Sequence, residues 1–420
     1  MVSTPSPVLQ PMAGSNPAVE VFSEFPEEFH SGWNKLAGDS VFFNPVFLRC
    51  LEHMRDESFS VRYMVAHKSG NVMMIGVFHV TGFKAPDLET NVRGKSGFMR
   101  AMATSLVRKD ALRKARILIS GSAFATGEHG FRYAKELDAS MAAACLNEAI
   151  RLIMLQESEA NARISAVLIK DFFPESRRFA EILSGTGYTS FTVDHNMVMP
   201  VLPEWKTFED YLASMNTKFR TKAKGVMKKS GNLRVTSATA KDILDNLPRM
   251  KLLFDEVVSN AAFSLGKMNL DILPEMKERL GAGFRCLFLY RDDTRVGFLT
   301  SLKCGPHMEA FVVGIDYSCN RELAVYNRML LEYVKIAIEE RCQTIFFSRT
   351  ASEIKSTVGA LPVEMICLIR HPSGMKNALL RVLFSYVKAS SFEQRYPYLQ
   401  ATEERINRQM ESFLQSFHKE

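Results

Sequence analysis

The sequence lacks the motifs of several common enzyme and membrane classes. No apolar run approaches the roughly 20 residues that a membrane-spanning helix needs. The nearest match to a nucleotide-binding P-loop ends in Gly94-Lys95-Ser96, but Glu89 stands where that motif requires glycine. No GxSxG, HExxH or dinucleotide-binding fingerprint occurs. These absences argue against a kinase and against a serine hydrolase.

Cysteine is sparse, and its spacing excludes the usual roles of paired cysteines. The seven cysteines are far apart, odd in number and without a CxxC pair, which disfavours a disulfide framework and a zinc site. We therefore expect buried thiols, a reducing compartment and no metal. Residues 1–18 form a proline-containing segment with no basic residue before position 18, which predicts a disordered lead rather than a secretory signal. The expected location is cytoplasmic, and peripheral contact with a membrane stays open.

The chain has a modest excess of positive charge that is concentrated in two places. The net charge is 53 − 46 = +7, which attracts anionic partners. Residues 93–116 hold eight basic residues and one acid, Asp110, and residues 218–234 hold seven basic residues and no acid. No motif for sequence-specific nucleic-acid binding is present, although charge alone leaves a transfer RNA open as a partner.

The most informative pattern in the sequence is a repeated order of elements. Residues 61–80 and 284–303 each have two β-rich runs around a polar turn, which indicates two hairpins. A strand, a helix and another strand are predicted after each hairpin: 116–120, 139–155 and 164–169 in the first half, and 308–315, 322–340 and 344–347 in the second. Further strands are predicted at 191–199 and 363–370. The predicted fold is α/β, with two tandem units that each contain a mixed sheet flanked by helices.

This order divides the chain into four parts. The lead covers residues 1–18, the first domain 19–203, the second domain 204–371 and a C-terminal helical tail 372–420. Within the tail, residues 378–387 are broadly apolar and residues 403–417 carry one apolar face. The basic and apolar 378–387 segment could lie at a membrane interface.

A single helix is predicted to begin after Thr207 and to stop at Gly231. Thr207 and Asp210 have the spacing of a capping box. Apolar residues then recur every three or four positions, which places them on one arc of a helix. These residues are Phe208, Leu212, Met215, Phe219, Ala223 and Val226.

The same segment carries a resemblance to a known family. Trp205, Phe208, Tyr211 and Leu212 have the spacing W-x-x-F-x-x-Y-L and precede a helix rich in Arg and Lys. Together with the tandem units, this resembles FemAB-like proteins of the GNAT acyltransferase superfamily over residues 19–371. The segment 126–130 is also similar to a loop of bacterial members. The resemblance implies two tandem GNAT-like domains.

The resemblance also implies a reaction, which is transfer of an acyl or aminoacyl group from a thioester or ester to an amine. No tightly bound cofactor is expected, and acyl-CoA or another acyl or aminoacyl donor would be a co-substrate. The acceptor would be a small-molecule or lipid amine, and an acyl-carrier protein or charged tRNA stays open as the donor partner. The alternative is a non-catalytic GNAT-like protein that binds an anionic ligand, a lipid surface or a partner.

The donor site implied by the resemblance lies in the second half, between a strand and the helix that follows. Its residues would be Val313, Gly314, Arg321, Leu323 and Ala324. The segment departs from the superfamily's phosphate loop, because Ala324 and Tyr326 stand where small residues, mostly glycine, are usual. Bulky side chains keep a backbone away from a pyrophosphate, which favours the non-catalytic alternative.

Four residues are candidates for acid–base catalysis. Glu128 and His129 lie between Gly127 and Gly130, and either could take a proton from the attacking amine; the alternative is a polar turn. Glu309 begins a predicted strand at a position where GNAT enzymes can carry an acid, but it could equally be an exposed strand residue. Tyr326 could protonate a leaving thiolate or simply pack.

Four further residues are candidates for substrate binding. Ser348 and Arg349 follow a predicted buried strand, at the end where α/β proteins tend to bind ligands. Arg220 and Lys224 belong to the basic segment. That segment predicts a solvated helix face, and a site for a phosphate-bearing donor or a membrane surface is open as an alternative.

Overall fold

The chain folds into two mixed β-sheets flanked by helices, and the predicted fold class is confirmed. The computed structural model describes residues 16–82, 116–260, 266–385, 387 and 389–415. Most of the predicted lead, the basic stretch from 93 to 115 and the last five residues of the tail lie outside the described residues. Within the described ranges, no helix is both long and apolar enough to cross a membrane.

The strands are β1 (Ala18–Phe22), β2 (Phe59–Lys68), β3 (Asn71–Gly82), β4 (Arg116–Ser120), β5 (Phe131–Tyr133), β6 (Ile164–Phe172), β7 (Thr189–Thr192), β8 (Asn196–Pro200), β9 (Leu233–Ser237), β10 (Phe284–Arg291), β11 (Thr294–Cys304), β12 (His307–Ile315), β13 (Thr344–Phe346), β14 (Leu361–Val363) and β15 (Ile366–Arg370).

The helices are α1 (His30–Ala37), α2 (Pro45–Glu52), α3 (Ala139–Glu159), α4 (Arg177–Ser184), α5 (Phe208–Ser214), α6 (Thr217–Lys229), α7 (Ala240–Asn260), α8 (Leu273–Leu280), α9 (Tyr317–Leu323), α10 (Val325–Glu339), α11 (Ser352–Ser356), α12 (Gly374–Phe384) and α13 (Gln400–Gln415).

The repeated order of elements is present in both sheets. The strand order is β1-β2-β3-β4-β6-β15-β7 in the first sheet, where β5 also pairs with β3, and β14-β8-β13-β12-β11-β10-β9 in the second. Each predicted hairpin forms, as β2–β3 and as β10–β11. In each half a parallel pair follows, β4 with β6 and β12 with β13, and a long helix makes the crossover.

The two halves exchange their last strands. The segment 191–199 was predicted as one strand, but β7 stays in the first sheet and β8 enters the second between β13 and β14. The segment 363–370 divides in the same way, because β14 stays in the second sheet and β15 enters the first between β6 and β7. Polar residues stand near each crossing, namely Asp194, His195 and Asn196 in the first segment and Glu364 in the second, but nothing local in the sequence says that the strand on the far side joins the other sheet. The division at 203/204 stays a prediction, with this exchange across it.

The helix predicted from Thr207 to Gly231 is two helices, so the prediction of one continuous helix was wrong. The predicted capping box at Thr207 and Asp210 is present. The chain then extends at Met215, which bridges to Tyr398, and the side chain of Asn216 accepts a hydrogen bond from the Phe219 N–H to begin α6. Contact with a residue 183 positions away competes with local helix propensity, and the apolar spacing could not reveal it.

The helix predicted at 322–340 also divides. A short helix, α9, starts earlier than predicted, and Ala324 then takes a left-handed conformation with φ of 50° before α10 begins. Alanine has no sequence signature for this conformation, which glycine and asparagine adopt more readily.

The C-terminal tail packs into the cores of both sheets. Leu380 and Phe384 of α12 join a core cluster on the first sheet, and Ile406 of α13 joins the core of the second. The cysteines are free thiols, and all but Cys304 are buried. One core cluster draws residues from both halves, including residues of α1, α2, α7 and α8, so the two halves share a core.

Candidate active site

The parallel strands β12 and β13 separate soon after they begin to pair. Their register joins His307 to Thr344, Met308 to Ile345 and Glu309 to Phe346, and it ends there. β12 continues to Ile315, so from Ala310 onward it has no strand neighbour on the β13 side in the described part of the sheet. At about 3.3 Å per residue, this open edge is roughly 20 Å long. Glu309 is therefore the last paired residue before the gap.

Glu309 is a buried carboxyl with unused hydrogen-bonding capacity. Its relative exposure is 2%, and Oε2 has no hydrogen-bond partner among the described residues. Burial raises the pKa of this carboxyl well above its ordinary value, and the positive charge of Lys170 opposes the shift only in part. A carboxylate with a raised pKa is a stronger base, so Glu309 is suited to take a proton from an ammonium group.

A ten-residue loop carries two of the other predicted acid–base residues, Glu128 and His129. Both β4 and β5 pair with β3, and the loop from Gly121 to Gly130 is an excursion between them. Val77 of β3 joins the two ends of the loop. Its C=O accepts a hydrogen bond from the Gly121 N–H at 3.3 Å, and its N–H donates to the Gly130 C=O at 2.8 Å. A Cβ at position 130 would lie 2.5 Å from Ser120 Oγ, so only glycine fits this closure.

Glu128 has an anchoring position in this loop. Its Oε1 accepts a hydrogen bond from the backbone N–H of Phe173 at 2.7 Å, and its C=O accepts from Arg132 at 3.0 Å. Both contacts hold the loop against the end of the first sheet. A role in fixing the loop is thus supported by direct contacts.

His129 is buried and electrically neutral near pH 7. Its ring stacks on Phe42 with a centroid distance of 3.7 Å. Burial, reinforced by the positive charges of Arg132 and Lys170, lowers the pKa of His129 to about 3. Such an imidazole is a weak base, so the electrostatics favour Glu309 over His129 for proton abstraction.

A buried ion-pair network joins the ends of β6 and β13. Asp171 is fully buried and pairs with Lys170 at 2.6 Å and with Arg349 from the second half. Burial alone would raise the pKa of the Asp171 carboxyl, but Arg349 and Lys170 hold it well below its usual range. Lys170 also donates to the carbonyl groups of Ser122 and Ala125 in the loop. The network therefore fixes the loop and both halves in one arrangement.

The segment after β13 has several residues with positive φ and is held by side-chain hydrogen bonds. Ser348, Thr350 and Ala351 all have positive φ, and Ser348 Oγ donates to Thr126 Oγ1 at 3.1 Å. The buried ammonium of Lys355 donates to the carbonyl groups of residues 347, 348 and 349, and burial lowers its pKa to about 7. Clusters of strained backbone occur mainly at functional or switching sites.

The predicted donor residues lie at the other end of β12 from Glu309. A Cβ at Gly314 would lie 2.2 Å from a ring carbon of Phe298, so packing explains this glycine. Leu323 is buried in the second core, whereas Arg321 is exposed. Asn320 Oδ1 accepts from the Tyr326 N–H at 2.9 Å, so an amide that could hold a pyrophosphate already has a partner.

Tyr326 is also at this far end. Burial raises the pKa of its phenol, and the hydroxyl of Tyr317 acts in the same direction. The structure therefore does not bring Tyr326 together with Glu309. Val313, near the C-terminal end of β12, and Ala324, directly after α9, lie at the same end as Tyr326.

The basic face of α6 lies close to this end of the second sheet. α6 contacts α9 and α10, and Phe219 and Ala223 form its buried side. Lys224 is exposed and Arg220 is half-buried, and neither forms an ion pair with a described residue. The solvated helix face predicted from sequence is therefore present, with free cations available to an anionic ligand.

Of the predicted residues, Glu128 and His129 lie on the loop, and Ser348 contacts the loop through Thr126. Arg349 pairs with Asp171, and the charge of the neighbouring Lys170 acts on Glu309. Sequence reasoning missed Lys170, Asp171 and Lys355. A signal for the first two existed, because a Lys-Asp pair follows an apolar strand at its carboxyl end. Among the described residues, no group of His, Cys, Asp and Glu has the arrangement to hold a metal ion.

The topology described above has two tandem units, each a mixed sheet flanked by helices, as the predicted fold requires. No family model and no curated protein matches the chain. Solved structures with some likeness include a tandem GNAT protein from the clavulanic acid biosynthesis pathway, with 11% identity, a TM-score of 0.47 and coverage of 85% of this chain and 100% of that one.

Two others are L-PGS from Bacillus licheniformis, with 10% identity, a TM-score of 0.46 and coverage of 90% of this chain and 100% of that one, and FemX, with 10% identity, a TM-score of 0.45 and coverage of 76% and 89%. At these values the likenesses do not bear on activity or substrate.

Proposed function

We propose that this protein is an acyltransferase that moves an acyl or aminoacyl group from a thioester or ester donor to an amine. The observation that carries the proposal is the buried carboxyl of Glu309, which has an unpartnered oxygen at the point where β12 and β13 separate. The tandem GNAT-like topology supports the same reaction class, because a gap between parallel strands is where this fold accommodates an acyl donor.

The proposed chemistry needs one base and no covalent enzyme intermediate. Glu309 takes a proton from the acceptor ammonium, and the free amine attacks the donor carbonyl. The new C–N bond forms, the C–S or C–O bond of the donor breaks, and the second proton lost by the nitrogen passes to the leaving thiolate or alkoxide. Because the pKa of Glu309 is raised, the rate should fall on the acid side as Glu309 becomes protonated.

The experiment compares the full chain with Glu309→Gln, which keeps the side-chain size and removes the base. Acetyl-CoA, palmitoyl-CoA and bulk aminoacylated tRNA serve as donors, with a mixture of amines as acceptors. We expect Glu309→Gln to lower product formation by roughly 10²–10⁴-fold, the usual effect of a general base. Glu148→Gln is the matched control, because that carboxylate is 42% exposed on α3, far from the predicted donor residues in the sequence, and pairs with exposed Arg151.

Full activity in Glu309→Gln would refute the role of this residue. A wild-type protein that releases no acyl group from any of these donors would refute the proposal as a whole. Equal losses in Glu309→Gln and Glu148→Gln would point to a general effect of lost charge instead of a base.

One observation favours a second candidate, a non-catalytic protein that binds an anionic ligand. The Tyr326 amide is already bonded, while Arg220 and Lys224 have no described ion-pair partner. The test is binding of bulk tRNA and of CoA to the full chain and to Arg220→Glu/Lys224→Glu. Binding that is lost in this variant, without turnover in the wild type, supports the second candidate. Lys241→Glu is the control, because Lys241 is an exposed cation that already pairs with Asp245.

A further inference from the structure

Helix α12 presents an exposed apolar row on the outside of the first sheet. Met375, Leu379 and Val382 have relative exposures of 87%, 46% and 55%. Their spacing of four and three residues places them on one side of a helix. The opposite side is buried, because Leu380 and Phe384 are each only 1% exposed and belong to the core cluster of that sheet. One face of α12 is therefore packed in the core, and the opposite face exposes apolar side chains to solvent.

Positive charge lies on both sides of this apolar row. At 100° per residue, Lys376 lies about 100° from Met375 in one direction and Arg381 about 120° in the other. Both side chains are exposed. No acidic residue occurs between Glu364 and Glu393 in the sequence. An apolar row with cations on its two flanks is the pattern of a helix that lies in a membrane interface.

The positive charge beside the apolar row of α12 favours a negatively charged partner over a second copy of the chain. In a symmetric dimer formed through α12, two sets of Lys376 and Arg381 would gather at one contact, which charge repulsion disfavours. The segment 83–115, which lies outside the described residues, has eight basic and three acidic residues, so its charge is not complementary either. A bilayer with anionic headgroups complements both the apolar row and the cations.

We propose that α12 docks the protein on an anionic lipid surface. The helix axis would lie parallel to the membrane, with Met375, Leu379 and Val382 at the boundary between headgroups and acyl chains. Lys376 and Arg381 would contact the lipid phosphates. This proposal does not depend on the acyltransferase reaction, because it concerns binding alone.

The design of the test follows from how the tail is packed. Deletion of the tail would remove Leu380, Phe384 and Ile406 from the cores, so loss of binding could then reflect unfolding. Substitutions confined to the exposed row avoid this problem. The variant Met375→Ser/Leu379→Ser/Val382→Ser changes only the outer face of α12.

The experiment measures co-sedimentation of the full chain with vesicles of phosphatidylcholine mixed with phosphatidylglycerol, and with vesicles of phosphatidylcholine alone. We expect binding to the anionic vesicles that weakens as salt is added. The triple serine variant should bind at least about tenfold more weakly, because apolar insertion and charge attraction both contribute to such binding. Lys376→Glu/Arg381→Glu should lose the preference for anionic vesicles.

The matched control is Leu244→Ser/Leu252→Ser, which alters leucines that are 58% and 60% exposed on α7. This control should bind as the wild type does. Three results would overturn the proposal: no binding of the wild type to anionic vesicles, an equal loss in the control, or undiminished binding of the triple variant. Gel filtration that shows a wild-type dimer and a monomeric triple variant would assign α12 to self-association and would also overturn it.

Discussion

Replacement of Arg349 by methionine should strongly destabilise the fold, because it leaves a buried carboxylate without its main partner. Asp171 is 0% exposed and accepts from Arg349, from Lys170 at 2.6 Å and from the Gly127 N–H at 3.1 Å. Methionine keeps most of the side-chain volume and removes the charge. The result should therefore report on the ion pair more than on packing.

The expected loss can be estimated from the burial of the pair. Removal of one partner of a buried ion pair costs about 3–5 kcal/mol. Lys170 remains beside Asp171 in the variant, so we expect the lower end, about 3 kcal/mol. Arg151→Met is the control, because Arg151 and Glu148 are 57% and 42% exposed. An exposed pair of this kind contributes only about 0–1 kcal/mol.

The assay is urea unfolding of both variants and of the wild type at several pH values. The folded pKa of Asp171 lies below the ordinary value of about 3.9, so its stabilisation is complete above that pH and is lost as the pH falls. In Arg349→Met the pKa of Asp171 rises, and protonation relieves the unpaired charge. The difference in unfolding free energy should thus be largest near pH 7 and smaller below about pH 4. A loss under about 1 kcal/mol, or one independent of pH, would refute the reasoning.

Two further predictions concern the second half. Burial lowers the pKa of Lys355 to about 7, so between pH 7 and about 10 the unfolded chain binds more protons than the folded one. The wild type should therefore gain stability relative to Lys355→Met as the pH rises from about 7 to 9, and an unchanged difference in denaturation midpoint would contradict the assignment. Gly314→Ala should destabilise by about 1–3 kcal/mol through contact with Phe298, whereas Gly225→Ala, in an open position on α6, should be stabilising; thermal melting of both variants checks the contrast.

Local patterns in the sequence determined the elements whose stabilising contacts are near in the chain. The hairpins at 59–82 and 284–304 and the capping box at Thr207 all follow from turn chemistry, alternation and capping within a few residues. The same is true of the order hairpin, strand, helix and strand in each half. For this reason the α/β class and the tandem arrangement could be predicted, and Glu309, Ser348 and Arg349 could be identified as candidates at strand ends.

Contacts between distant parts of the chain decided the rest. Met215 leaves the helix because it bridges to Tyr398, and β8 and β15 cross to the opposite sheets, which no local pattern in the sequence indicates. The tertiary structure likewise pairs Asp171 with Arg349 and removes Glu309 from water, which is the cause of its raised pKa. The alternation and spacing of apolar residues indicate only which side chains are expected to be buried. The partner that buries each of them, and hence the charge state of the candidate site, is set by the packing of the two halves.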